Sequence, residues 1–124
     1  FLIHITSLDQ LDNMNASSAS LDPGVSEVDQ LGLATVPMEG SRLPRLADAR
    51  VAFACSLYDI HYIGEGPQSL ILGEVHGVFI DDSAIGEDAK GRRKILAEKI
   101  NPVGRLGASE YVSFGELLTR RRPD

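Results

Sequence analysis

Apolar residues recur along this chain in different rhythms, and each rhythm predicts a different element. Residues 1–6 (Phe-Leu-Ile-His-Ile-Thr) are apolar on both faces and partly β-branched, which predicts a strand buried on two sides. At Ser7 the rhythm changes. Leu8, Leu11 and Met14 follow at helical spacing, and Ser7 with Gln10 three residues on has the form of a capping box. That helix is expected to fade in the Asn- and Ser-rich stretch 15–20. From residue 51 to 61 the pattern alternates, with Val51, Phe53, Cys55 and Leu57 on one face and Ala52, Ala54, Ser56 and Tyr58 on the other. Residues 69–80 return with Leu72, Glu74, His76, Val78 and Ile80 sharing a face. The Gly64-Glu-Gly-Pro67 turn between the two runs predicts an antiparallel hairpin.

The remaining segments carry weaker rhythms. Asp22-Pro-Gly24 is a turn by its chemistry, and Ser26 is placed to cap a short helical turn after it. Residues 31–48 hold Gly32, Pro37, Gly40 and Pro44 without a sustained period, which predicts a long excursion over the surface. A stretch of that size usually has a job or a partner. Past the hairpin, Asp81 and Asp82 end the strand and residues 86–91 read as loop. Residues 92–100 are rich in helix formers and predict a short helix that Asn101-Pro102 stops. Residues 110–118 read equally as helix or strand.

Composition narrows the class. At 124 residues the chain is one domain or a piece of one, and with 43% apolar and 24% charged residues it can build a core. A formal charge of -6 argues against a dedicated nucleic-acid binder, which needs clustered Lys and Arg to neutralise phosphates. The dense basic run, Arg120 to Arg122, reads as a solvated chain end. A single cysteine, Cys55, forms no internal disulfide and suits a reducing cytoplasm. No apolar run reaches the roughly 20 residues of a membrane span. Residues 1–6 are too short for a secretory signal and lack a basic flank. The start inside an apolar run, without an initiator Met, leads us to expect further sequence upstream.

Candidate chemistry is sparse. Gly64-Glu-Gly66 precedes a strand rather than a helix, so it reads as a hairpin turn and not as a dinucleotide loop. Asn15-Ala16-Ser17 matches a glycosylation triplet, which matters only in a secreted chain. The same residues at a helix end offer short polar groups and backbone N–H donors to an oxygen-rich ligand. His4, His61, His76 and Cys55 lack the paired spacing of a zinc site, so no metal is expected. Glu74 and His76 are either a solvent-facing polar pair or a carboxylate tuning an imidazole. Cys55 reads as a small core residue. From the residues alone, this is a soluble β-rich domain without a self-sufficient catalytic set.

Three blocks in order resemble the flavin-reductase-like family of FMN-binding split barrels, which includes flavoredoxin and the reductase components of monooxygenases. The first is the strand at 1–6 with Met14-Asn-Ala-Ser-Ser-Ala19 and Pro23-Gly-Val-Ser-Glu27. The second is Pro44-Arg45, Cys55-Ser-Leu57, Leu72-Gly-Glu-Val75 and Val78. The third is Pro102-Val-Gly-Arg-Leu-Gly107, Glu110-Tyr111, Gly115-Glu116 and Arg122-Pro123. The resemblance spans nearly the whole chain and departs at His4, where relatives commonly carry Asn, and at Ala54, where they often carry Glu.

The resemblance implies a fold that is mainly β with short helices, an antiparallel Greek-key split β-barrel. It implies that residues 1–124 are the C-terminal part of a single such domain, whose opening strands lie upstream. It further implies a cytoplasmic homodimer that binds FMN, takes hydride from NAD(P)H, and passes electrons to a monooxygenase or another acceptor. Asn15, Ser17 and Ser18 would border the flavin, and Arg105, Gly107 and Tyr111 would line the side where nicotinamide or an acceptor approaches. The stretch alone is expected to hold FMN weakly. A split-barrel module that binds a flavin or other planar cofactor without turnover is the competing reading.

Overall fold

The computed structural model describes residues 1–66 and 68–123. Its first strand, β1 (Leu2–His4), is shorter than the apolar run that encodes it. Leu2 and His4 are half-buried. Ile3, on the other face, is 44% exposed among the described residues, so β1 is not covered on both sides as its pattern predicts. After Ser7 a single 3-10 turn, Leu8–Gln10, leads into α1 (Leu11–Ala16). The Gln10 half of the expected cap forms: its side-chain oxygen accepts the Ser7 N–H at 2.9 Å. The helix ends at Ala16, where the Asn and Ser content predicted that it would fade.

Ser26 caps α2 (Glu27–Gln30), its hydroxyl accepting the Asp29 N–H at 3.3 Å. The long excursion that follows is irregular except where β2 (Thr35–Val36) pairs with β3 (Arg45–Leu46). Two side-chain packing contacts press it against the sheet. Met38 is buried against Ala52 and Ala54, and the Arg45 guanidinium lies 3.5 Å from the centre of the Phe79 ring.

The predicted hairpin is the main element: β4 (Val51–Tyr62) pairs antiparallel with β5 (Ser69–Ile80), and β1 adds to the other edge of β4. Pro67 of the expected turn lies outside the described residues. The face assignment on β5 needs correction. The ladder passes from Ala54↔Gly77 to Cys55↔Val75, leaving His76 as an extra residue, and a second irregularity leaves Tyr58 unpaired. Such a bulge flips the alternation beyond it. Val78 and Ile80 therefore share the face of Phe53 and Val51, whereas Glu74 and Leu72 stand on the opposite face. Gly73 pairs with Leu57, and a Cβ there would come 2.6 Å from Cζ of Phe1, so any larger residue would push that exposed ring aside.

Small residues at the buried end of β4 let packing proceed on both faces. One cluster joins Met38, Ala52 and Ala54 with Leu2 and Phe79. The other joins Val51, Ala84 and Ile100 with Ile5, Phe53 and Ile80.

Beyond the hairpin the sequence reading again changes. Residues 86–91 are not wholly loop, and 92–100 is not one helix. Instead β6 (Ile85–Glu87) pairs with β7 (Arg93–Ile95), and only α3 (Ala97–Ile100) is helical. The cause is turn chemistry at Asp88, whose carboxylate accepts N–H groups of Lys90 and Arg92 while Gly91 takes φ 71°. Those local bonds override the helix propensity of Arg92, Arg93 and Lys94. Asn101 stops α3 in the left-handed region, as the Asn-Pro pair predicts. The segment 110–118 is strand only at Tyr111–Val112, which as β9 pairs with β8 (Gly104–Arg105). All these pairings are antiparallel. Among the described residues no helix is long and apolar enough to cross a membrane.

Candidate functional site

Helix α1 presents polar groups in two directions, and both matter. Gln10, Asn13, Met14 and Ser17 follow at helical spacing and face inward, toward β1 and the excursion. There they line a recess of about 240 Å³ with His4, Thr6, Leu33, Leu46, Asp48 and Ala49. It shares His4, Ser17, Leu33 and Leu46 with a larger cleft of about 640 Å³ that runs on to Glu27, Asp29 and Pro44. The walls are mainly apolar.

His4 is the hinge between the two spaces. Its Nε2 accepts the backbone N–H of Leu46 at 3.2 Å, tying β1 to β3 and requiring a neutral imidazole with its proton on Nδ1. Burial lowers the His4 pKa below its ordinary value and the charge of Arg45 lowers it further, against an opposing pull from Asp48. Gln10 fastens the same region by donating to the Asp48 carbonyl at 2.9 Å.

The residues that the resemblance places beside a flavin are dispersed around the end of α1. Ser17 lines both cleft spaces and donates to the Met14 carbonyl at 2.8 Å, while Ser18 donates to the Asn15 carbonyl at 2.7 Å. Each hydroxyl oxygen therefore keeps its acceptor capacity. Asn15 faces away from the cleft, toward β9.

On that outer side the structure joins what the sequence left apart. Arg105 Nη1 donates to the Tyr111 hydroxyl at 2.6 Å, and that hydroxyl donates to Asn15 Oδ1 at 2.9 Å. The guanidinium also holds its own loop, with Nη2 on the Ala108 carbonyl at 2.6 Å and Nε on the Leu106 carbonyl at 3.2 Å. It lies 4.9 Å from the centre of the Tyr111 ring. Gly107 contributes its carbonyl, which accepts the Glu110 N–H at 3.1 Å and closes the turn between β8 and β9.

Three side chains missed by the sequence reading complete the region: Gln10 and Asn13 in the recess, and Leu46 opposite His4. In the sequence Gln10 reads only as a cap, Asn13 carries no signal, and Leu46 lies in the irregular span 31–48. Elsewhere, His76 takes Ser56 rather than Glu74 as its partner, with Nε2 2.6 Å from the hydroxyl oxygen. Cys55 is buried. Among the described residues no three His, Cys, Asp or Glu side chains gather to hold a metal ion.

The donor set fits part of FMN. Ser17 sets a short donor and acceptor beside apolar walls that suit a ring, while Asn15 and Ser18 offer theirs outside the cleft. The cleft does not fit the phosphate, because Glu27, Asp29 and Asp48 line it and its one imidazole is held neutral.

Comparison with known proteins follows the same line. No family model matches the chain. An uncharacterised protein of Halalkalibacterium halodurans is 30% identical over 127 residues, covering 99% of this chain and 58% of the relative. A putative flavin reductase with a split-barrel domain from Shewanella frigidimarina superposes with a TM-score of 0.82 at 20% identity, covering 98% of this chain and 60% of that one. Nitrilotriacetate monooxygenase component B of Bacillus cereus gives 0.81 at 24% identity, over 96% and 58%. The chain thus spans about 60% of the length of the proteins it matches, and its fold is that of the flavin reductase-like split barrels.

Proposed function

We propose that this chain forms part of an FMN-dependent oxidoreductase of the NAD(P)H:flavin reductase type, acting as a cytoplasmic homodimer that hands electrons to a monooxygenase or similar acceptor. The split-barrel fold, shared with a protein named as a putative flavin reductase and one named as a monooxygenase component, supports the reading. The observation that carries it is the bond from Tyr111 to Asn15. It connects, in one network, residues that the resemblance assigns to the flavin border and to the side of substrate approach.

When bound, FMN would supply the redox chemistry, taking two electrons as hydride from NAD(P)H and one proton from solvent. Ser17 would border its ring from the cleft, where Met14 and Leu46 supply apolar wall, and Asn15 and Ser18 would border it from the outer side of α1. Arg105, Gly107 and Tyr111 would shape the open side, where the Tyr111 ring shields an apolar edge while its hydroxyl stays in the polar network. The phosphate would be held outside the acidic cleft.

The test is to titrate the full-length protein that carries this stretch with FMN and then follow NADH and NADPH oxidation at fixed FMN. FMN-dependent oxidation of either nucleotide is the expected result. Tight FMN binding without oxidation would favour a flavin carrier, and no binding would overturn the proposal.

A further inference from the structure

Along Arg105, Tyr111 and Asn15 one direction of hydrogen bonding pairs every group within the protein. A guanidinium can donate but not accept, so at 2.6 Å the Tyr111 oxygen must be the acceptor from Arg105. The single phenolic proton is donated to Asn15, which offers its oxygen at 2.9 Å. Turning the Asn15 amide over would leave that proton to water alone and would aim a second donor at an oxygen already facing a cation. The charge of Arg105 also polarises the Tyr111 O–H and strengthens its donation onward.

Asn15 is exposed and lies just before the end of α1, so the group left facing outward is its Nδ2 amide, with two N–H donors. We infer that Arg105 and Tyr111 are positioning residues that lock the Asn15 side chain as a donor. The ligand edge read there is a hydrogen-bond acceptor, a ring carbonyl or unprotonated ring nitrogen, and a donor edge is rejected. This inference rests on the flavin reading and deepens it: the isoalloxazine would present its pyrimidine-side acceptors to Asn15. It also assigns Arg105 a role through Tyr111 rather than direct contact with an incoming nucleotide, because three of its bonds are directed into its own loop and the Tyr111 hydroxyl.

A double-mutant cycle read by FMN binding and by the visible spectrum of bound flavin tests this. Asn15→Asp keeps an acceptor for Tyr111 but loses both donors, and should weaken FMN binding by about tenfold or more, beyond the loss of one hydrogen bond alone. Tyr111→Phe keeps the ring and should weaken binding severalfold while shifting the flavin absorbance, with thermal unfolding recorded to confirm folding. In an Asn15→Ala background, Tyr111→Phe should add nothing further. Equal effects of Tyr111→Phe in both backgrounds, or undiminished binding by Asn15→Asp, would overturn the positioning role while leaving the flavin reading intact. An unsubstituted full-length protein that binds no FMN would instead remove the reading and this inference together.

Discussion

The Tyr111 hydroxyl donates to Asn15 Oδ1 at 2.9 Å across 96 positions of sequence, so the β8–β9 ribbon is pinned to the end of α1. Backbone bonds reinforce the same closure, with Leu8 N–H on the Asn101 carbonyl and Val103 N–H on the Thr6 carbonyl, both at 3.0 Å. Tyr111 is only half-buried, so the hydroxyl's share of stability is modest. Tyr111→Phe should lower stability by about 0.5–1.5 kcal/mol in urea unfolding. Amide exchange at Arg105 and Tyr111 should rise more than in β4. Uniform exchange changes across both regions would contradict a local pin.

Met38 is the buried anchor of the excursion, packed on Ala52 and Ala54. Those alanines cannot expand to fill a void, so Met38→Ala should cost about 2–5 kcal/mol and leave the 31–48 span more easily cut by protease. Unchanged cleavage would mean that the Arg45–Phe79 stack and the bonds to His4 and Gln10 hold the span without Met38.

Much of this architecture was legible because local chemistry and global fold agree. Period-two alternation and a Gly-rich turn sufficed for the β4–β5 hairpin. The bulge at His76 was invisible because Val75 and Val78 are apolar on either side of the slip, so the shifted and unshifted patterns look alike. Residues 92–100 misled because helix propensity is a weak signal beside the Asp88 turn. At the site, resemblance named Asn15, Ser17, Ser18, Arg105, Gly107 and Tyr111, but no periodicity reveals that Asn15 meets Tyr111. The His4 contact was equally hidden, since its donor is a backbone N–H of Leu46 that carries no side-chain signature.

Asn101 holds φ 48° and ψ 57° at the end of α3, and that turn aims its carbonyl at Leu8. A Cβ-bearing residue without a short polar side chain pays about 1–2 kcal/mol in this region. Asn101→Ala should therefore destabilise by roughly that amount. Asn101→Gly should cost less, because glycine takes the conformation freely. Equal losses in chemical denaturation would show that the Asn side chain, not the backbone, is what matters.

The pH dependence of folding should carry a His4 signature. Burial first, and Arg45 second, push the His4 pKa below 6.5, with Asp48 pulling the other way and Glu27 and Asp29 lining the same cleft. Since the folded value is lowered, the unfolded chain binds a proton at a higher pH than the folded chain does. Stability is then unaffected by this group above 6.5 and declines as pH falls from 6.5 toward the lowered value. The structural event is definite, because a proton on Nε2 would face the Leu46 N–H that now donates to it, and two donors cannot share that bond. The β1–β3 tie should loosen, and the Leu46 amide should shift and exchange faster over the same range. Asp9, Asp81 and Asp88 also have lowered pKa values, but as carboxylates they contribute at more acidic pH. Comparing the protein with His4→Gln, whose amide oxygen can accept from Leu46 without titrating, isolates the histidine. The difference in unfolding free energy between the two should change between pH 7.5 and pH 5, in favour of the variant at the lower pH. A difference that stays constant across that range, with a Leu46 amide insensitive to pH, would exclude His4 as the titrating group.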